Sequence, residues 1–368
     1  MRQVGSQSSP TILRRRPVLV TGGAGFIGSN LADRLAQDGH DILVYDALAR
    51  PGVDANLEWL KKRHPNKITA VIADVRDETS LAGAAGEAQA VFHLAAQVAV
   101  TTSLIAPRDD FEINVRGTLG LLDALRRRNE RVPLVFASTN KVYGDLADVE
   151  LDKTGDAYVP RDAAIRRTGI GETRPLDFHT PYGCSKGAAD QYVLDYARSF
   201  GVPTCVLRMS CIYGQRQMGT EDQGWVAHFL IKALKGEPIS IYGDGCQVRD
   251  VLDISDAVET YVSAWKNIDA VQGRAFNLGG GPANAISLKQ LLVHIENLLG
   301  HSVETIYSDW RAGDQRYYVS DTRRAQQELG LRTPRPWRDG VAALAQWLQA
   351  EKSPAHVIAV QQLQAAGG

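Results

Sequence analysis

Val18-Leu19-Val20-Thr21-Gly22-Gly23-Ala24-Gly25-Phe26-Ile27-Gly28 is a short apolar run that ends in a glycine loop and leads into an amphipathic stretch, 27–36. The run reads as a buried strand and the loop as the turn into a helix. Each glycine has a mechanical reason to be there. Gly22 permits the tight turn, Gly25 lets the backbone approach a pyrophosphate, and Gly28 lets helix and strand pack closely. The helix amino terminus, with Phe26 and Ile27 in its first turn, then faces the anion.

Outward from the loop, apolar runs at 41–45, 68–72, 90–94, 134–137 and 204–207 alternate with helical patterns. That alternation predicts an α/β chain, a Rossmann-type doubly wound parallel sheet, with a smaller C-terminal mixed α/β lobe. Long helices are expected at 110–128 and 181–200, both apolar beyond one face. The stretch 147–178 is charged, holds several glycines and prolines, and lacks periodicity, so it reads as an excursion over the mouth of the site. Later elements are a helix at 224–235, a strand at 239–242, and helices at 256–265, 287–299 and 337–350. The expected organisation is a leader at 1–16, a dinucleotide-binding unit at 17–210 to which 252–278 returns, a substrate-binding lobe from 211–251 and 279–350, and a tail at 351–368.

Composition narrows the function. The 368 residues carry 41 basic and 42 acidic side chains and a formal net charge of −1, so no global field points to nucleic acid or an anionic membrane. Arg14-Arg15-Arg16 and Arg126-Arg127-Arg128 read as a tail and a solvated helix end. Cys184, Cys205, Cys211 and Cys246 form no C-x-x-C pair. That argues against a zinc site or disulfide framework and for a reducing cytoplasm, with no metal expected. No apolar run reaches the ~20 residues needed to span a bilayer.

The cofactor side can be read further. Asp46 ends the second strand, where an acid binds the adenosine ribose hydroxyls and repels a 2′-phosphate, favouring NAD over NADP. Arg50 nearby reads as solvated surface. Asp74 and Val75 follow the third strand, where an acid can accept from the adenine amino group; a turn aspartate is the equal alternative. Leu94, Ala95 and Ala96 leave room for the cofactor, and His93 reads as a packed histidine. Asn114 faces inward on an apolar helix and needs partners, which bracing the backbone near the site would supply.

The chemistry centres on Tyr182-Gly183-Cys184-Ser185-Lys186, downstream of Ser138-Thr139. A tyrosine and a lysine four apart lie on one helix face. The lysine charge favours the tyrosinate, so a phenol with a pKa of roughly 10 in water could act as a base near neutrality. Thr139 could orient the group that gives up its proton.

Taken in order, the glycine loop, Asp46, His93-Leu94-Ala95-Ala96, Asn114-x-x-Gly117-Thr118, Ser138-Thr139-x-x-Val142-Tyr143-Gly144 and Tyr182-x-x-x-Lys186 resemble the extended short-chain dehydrogenases that act on nucleotide-activated sugars. The likeness runs from Val18 to about Leu348. It implies Thr139, Tyr182 and Lys186 as catalytic residues, and NAD held by the loop, Asp46, the 94–96 segment, Asn114, Tyr182, Lys186 and Arg208. It implies Gln97, Asn140, Cys211 and Trp225 on the substrate, with Arg249 and Arg316 gripping its diphosphate. Met209 and Cys211 depart from the histidine and serine expected at those positions, and 148–173 diverges.

Several stretches, among them 138–146, 176–192 and 222–226, resemble the members that invert C2 of a CDP-hexose. Such a reaction has no net redox change, so NAD would be tightly bound and regenerated each turnover. Three alternatives stay open. A 4-epimerase would use the same three residues. A 4,6-dehydratase would need an acid and a base where Asn140-Lys141 stand, and a non-catalytic scaffold would have no use for Tyr182 and Lys186. The partner expected besides the nucleotide sugar is a second copy, as a homodimer or homotetramer built on the two long helices.

Overall fold

The computed structural model describes residues 16–311 and 313–351. Readings on residues 1–15 and 352–368, and so on the leader and nearly all of the tail, fall outside the described residues. Seven strands form the central sheet: β1 (Val18–Thr21), β2 (Ile42–Asp46), β3 (Ile68–Ile72), β4 (Ala90–His93), β5 (Leu134–Thr139), then Thr204–Met209 and Arg274–Leu278. Their spatial order is Arg274–Leu278, Thr204–Met209, β5, β4, β1, β2, β3, and every pairing is parallel. The chain reverses its march across the sheet between β1 and β4. That switch point opens a crevice at the carboxyl ends of the strands.

Both faces of the sheet are covered, which is why its strands are apolar without alternation. Val18, Val20, Ile42, Val44 and Phe92 pack under helices Phe26–Gln37, Val53–Arg63 and Ile254–Lys266. Leu19, Leu43, Val91, Leu134 and Phe136 pack under Glu78–Glu87, Gly117–Arg126 and Thr180–Phe200.

The helix expected at 110–128 begins earlier and is not uniform. It runs as an α-helical turn at Pro107–Phe111, a π-helical turn at Glu112–Arg116, and an α-helix at Gly117–Arg126. Proline fits the first turn because its missing N–H would have had no partner there. The widened turn carries Asn114.

The excursion at 147–178 has structure of its own. Leu151–Thr154 pairs antiparallel with Ala157–Pro160, and Asp162 caps the helix Ala163–Thr168 by accepting from the Ala164 and Ile165 amides.

The C-terminal elements form small sheets. Ile239–Tyr242 pairs with Thr305–Ser308, and Val248–Asp253 pairs with Ala285–Ser287, Tyr317–Tyr318 and Cys211–Tyr213. Helices Trp225–Lys235, Leu288–Leu299 and Trp337–Glu351 contribute to one shared core with them. Among the described residues no helix is long and apolar enough to cross a membrane.

Candidate active site

A cavity of about 830 Å³ opens where the crevice meets the C-terminal elements. Its floor is the glycine loop. Gly22 sits at φ 68°, and a Cβ there would lie 2.7 Å from the Ala95 nitrogen; one on Gly28 would lie 2.1 Å from the Gly22 carbonyl oxygen. Helix Phe26–Gln37 starts from Gly25 with no side-chain cap, leaving its first N–H groups to the cavity that Gly25, Phe26 and Ile27 line. Uncapped amides over a side-chain-free cradle suit a dinucleotide pyrophosphate.

Asp46 stands at the edge of this floor. Its carboxylate accepts from the Ala24 amide at 3.0 Å and the Leu48 amide at 2.9 Å, tying the loop to the end of β2. Asp74 and Val75 also line the cavity, as do Leu94, Ala95 and Ala96. The Asp74 carboxylate is already bidentate with Arg76 at 2.8 and 3.0 Å, which holds it below the usual carboxylate range.

Segment 214–224 packs on helices Phe26–Gln37 and Val53–Arg63, beside the glycine loop. Asn56 donates to the Arg216 carbonyl at 3.3 Å and Asn30 to that of Gln215 at 3.1 Å. Arg216 lies 3.1 Å over the Trp59 ring. Arg50, expected as solvated surface, lines the cavity and donates to Gln223, which in turn donates to the Val98 carbonyl at 2.7 Å.

Thr139, at the end of β5, and Tyr182, in the first turn of Thr180–Phe200, reach the cavity side by side. Burial pushes the Tyr182 phenol up to about 12, and the neighbouring Thr139 hydroxyl opposes that rise. Lys186 lies one turn further, donates to the Ala137 carbonyl at 2.6 Å and sits 4.2 Å from the Phe136 ring centroid. Burial brings its amine down to about 7. Burial thus acts on both groups, raising the phenol and lowering the amine.

Behind this pair lies a polar layer that meets the cavity lining at Ser138. Asn114 accepts from the Gln97 amide at 2.9 Å and donates to the Gln97 carbonyl and to Ser185 Oγ, both at 3.0 Å. Gln97 itself points inward, donating to the Ala99 carbonyl and to Asp110 Oδ1, both at 2.9 Å. Arg208 is clamped on Asp190 at 2.9 and 3.0 Å, and Ser138 donates to the same carboxylate at 2.7 Å. Gln97, Asn114, Arg208 and Lys186 thus stand behind the cavity wall, outside its lining.

The opposite wall holds Asn140, Cys211, Trp225 and Arg249. Arg249 is buried and donates to the Val248 carbonyl at 2.9 Å and that of Gln315 at 2.6 Å. Arg316 does not join them. It is exposed, 5.7 and 5.5 Å from the Tyr158 and Trp310 ring centroids. Arg311 takes that place instead, 3.6 Å over the Tyr242 ring and on the cavity. The motif Arg311-x-Gly313-Asp314-x-Arg316 held both arginines, and only the backbone course separates them.

Lys141 was not singled out as a site residue; it lines the cavity and donates to the Gly313 carbonyl at 2.8 Å. Thr101 Oγ1, Gln217 Oε1 and Gln247 Oε1, all on cavity residues, are buried without a hydrogen-bond partner among the described residues. Buried polar atoms rarely stay unpaired, so these mark a wall built to meet a polar ligand. Away from the cavity, Asp145, Asp177 and His179 bring three possible ligand atoms within 4.8 Å of one another, with His179 3.5 Å from the Asp145 carboxylate and 3.0 Å from that of Asp177.

Known proteins resemble this chain in sequence and fold. CDP-paratose 2-epimerase of Salmonella typhi is 41% identical over 346 residues, covering 90% of this chain and 98% of that protein. UDP-glucose 4-epimerase of Thermotoga maritima, solved with UDP-glucose, superposes with a TM-score of 0.78 at 28% identity, over 92% of this chain and all of that one. UDP-glucose 4-epimerase of Thermus thermophilus, solved with NAD, gives 0.75 at 29% identity, over 90% and 99%. The family model for the NAD dependent epimerase/dehydratase family matches residues 18–279, from the first strand through the last strand of the central sheet, and the chain belongs to that family.

Proposed function

We propose that this NAD-dependent nucleotide-sugar epimerase inverts C2 of a CDP-hexose. The observation that carries the reading is the meeting of Thr139 and Tyr182, with Lys186 behind them, between a glycine cradle and an arginine-bearing wall in one cavity. The choice of C2 and of cytidine rests on the likeness to CDP-paratose 2-epimerase. The 4-epimerase reading stands second, on the likeness to UDP-glucose 4-epimerases. Dehydration is disfavoured because Asn140 and Lys141, next to Thr139, carry no carboxylate.

In this reading Gly22, Gly25, Gly28 and Asp46 hold the dinucleotide. When bound, NAD supplies a cationic acceptor that takes a hydride and can return it. Tyr182 takes the proton of the hydroxyl on the carbon being oxidised and returns it on reduction, so no net proton is consumed. Thr139 orients that hydroxyl, and the Lys186 charge favours the phenolate. Arg249 neutralises the diphosphate, with Arg311 at the nucleotide end. We assign 17–210 and 252–278 to the cofactor and 211–251 with 279–350 to the sugar nucleotide. A cytoplasmic setting fits four thiols without a disulfide among the described residues.

A second copy is the proposed macromolecular partner. Ile105, Phe111, Tyr192 and Phe200 leave 86%, 51%, 45% and 47% of their surface exposed on the two helical faces around 100–111 and 180–200. Light scattering showing only single subunits would defeat this.

Proton NMR of the purified protein with CDP-, GDP-, UDP- and dTDP-hexoses tests the activity. Inversion at C2 of a CDP-hexose is expected. Inversion at C4, or a 4-keto-6-deoxy product, would replace the reading with a rival.

A further inference from the structure

One carboxylate beside the Tyr182–Lys186 helix has no part in the roles above. Asp110, in the turn Pro107–Phe111, is fully buried, whereas its neighbours Arg108 and Asp109 face outward. Three donors converge on it: Gln97 Nε2 at 2.9 Å and Asn114 Nδ2 at 3.3 Å on Oδ1, and the Ser185 hydroxyl in short contact on Oδ2. Ser185 can spare its hydrogen for this bond. Its other acceptor is the Tyr182 carbonyl, a longer 3.2 Å away, and the Asn114 amide already donates to its oxygen. Three donors on the carboxyl group favour its anion and oppose the effect of burial.

The contrast with Asp190 is instructive. Asp190 lies on the same helix as Lys186, but its charge is committed to Arg208 through two bonds. Asp110 forms no ion pair among the described residues, so its field falls on ionisable groups around it. These are Lys186 and Tyr182 on the helix packed against it. The facing helix Val100–Ile105 carries no ionisable side chain, and Glu112 on the following turn is spent on Arg116.

We propose that Asp110 is the counter-charge of the Tyr182–Lys186 pair, a positioning residue that keeps the proton on Lys186 and so sets the pH range in which Tyr182 works. The inference rests on the roles given above to those two residues. The electrostatics agree in sign. Burial raises the Asp110 carboxyl while Ser185, Gln97 and Lys186 oppose that rise, and the Asp110 charge in turn raises both Lys186 and Tyr182. Removing the charge while keeping the shape should let both groups lose their protons at lower pH.

The test is the pH profile of kcat for Asp110→Asn and wild type on CDP-paratose, with bound NAD and melting temperature measured alongside. Both limbs of the profile are expected to move down by about one pH unit, with NAD content unchanged. That is about tenfold less activity on the alkaline side. Limbs that stay in place under a uniformly scaled rate would overturn the proposal. Should Asp110→Asn fail to fold, Ser185→Ala removes one donor from the carboxylate and should move the profile the same way by less; an unmoved profile there is equally fatal. Tyr182→Phe separates the two levels. If that variant still turns over, the site reading itself fails; if it is dead beside an unmoved Asp110→Asn profile, only this inference does.

Discussion

The two walls of the cavity are made of different material. The cofactor wall is main chain: uncapped amides, glycines pressed against carbonyl oxygens, and an aspartate already spent on holding the loop. The wall assigned to the sugar nucleotide is side chain: Asn140, Lys141, Arg249 and Arg311, with the Gln247 oxygen left without a partner among the described residues. A main-chain wall is complete before its ligand arrives and tolerates no added atom. A side-chain wall is completed by its ligand, and its specificity can change without touching the fold.

The largest break in that comparison should come from Gly28→Ala. Its Cβ would fall 2.1 Å from the Gly22 carbonyl oxygen, so the loop must move. Overpacking of this kind costs about 1–3 kcal/mol, and the protein is expected to purify without NAD by extraction and chromatography. Retained NAD would show that the cradle is not rigid.

Acid should attack the same wall. His93 is buried between the Thr21 hydroxyl at 2.7 Å and that of Thr118 at 3.0 Å, and burial drives its pKa down to about 3. Thr118 donates to the Asn114 carbonyl, so His93 donates from Nε2 and accepts at Nδ1, as a neutral ring. Between about 6.5 and 3 the unfolded chain binds a proton that the folded one refuses. Stability from this group is therefore present above 6.5 and lost as pH falls, by roughly 3 kcal/mol at pH 4. Denaturant titrations of wild type and His93→Gln should differ in acid slope by that amount.

Arg249→Met probes the other wall. KM for the sugar nucleotide should rise about 10–100-fold, the worth of a charge-assisted hydrogen bond, while NAD content stays put. A loss of NAD would mean that the walls are not independent. The smallest effect is a control. Gly83 lies exposed in helix Glu78–Glu87 with open space around it, so Gly83→Ala should stabilise by about 0.5–1 kcal/mol in thermal melts. Its contrast with Gly28 isolates close approach from glycine as such.

The same division decides what could be read in advance. Val18–Thr21 and the glycine loop follow from local patterns because a run of buried strand residues and turn geometry are local. The π turn at Glu112–Arg116 is one residue of slack in a helical period, and no apolar pattern records it. The hairpin 151–160 escaped because its first strand, Leu151–Thr154, is largely exposed and has no buried face to alternate with. Arg311 and Arg316 are chemically identical in the sequence; only the course of 311–316 sends one to the cavity and one to Tyr158. Asp109 and Asp110 are likewise identical neighbours in the sequence, and only the turn buries one and exposes the other.

The sheet has a consequence for how the chain is made. Thr204–Met209 is flanked by β5 on one side and by Arg274–Leu278 on the other, and sixty-four residues separate it from that second neighbour. At about 5–20 residues per second on the ribosome, the strand waits several seconds with one edge bare. An apolar, unpaired edge is a template for pairing with another chain. Nascent protein is thus most vulnerable to misassembly after the nucleotide cradle is complete and before the last strand emerges, and crowding of ribosomes on one message would place like edges side by side in that interval.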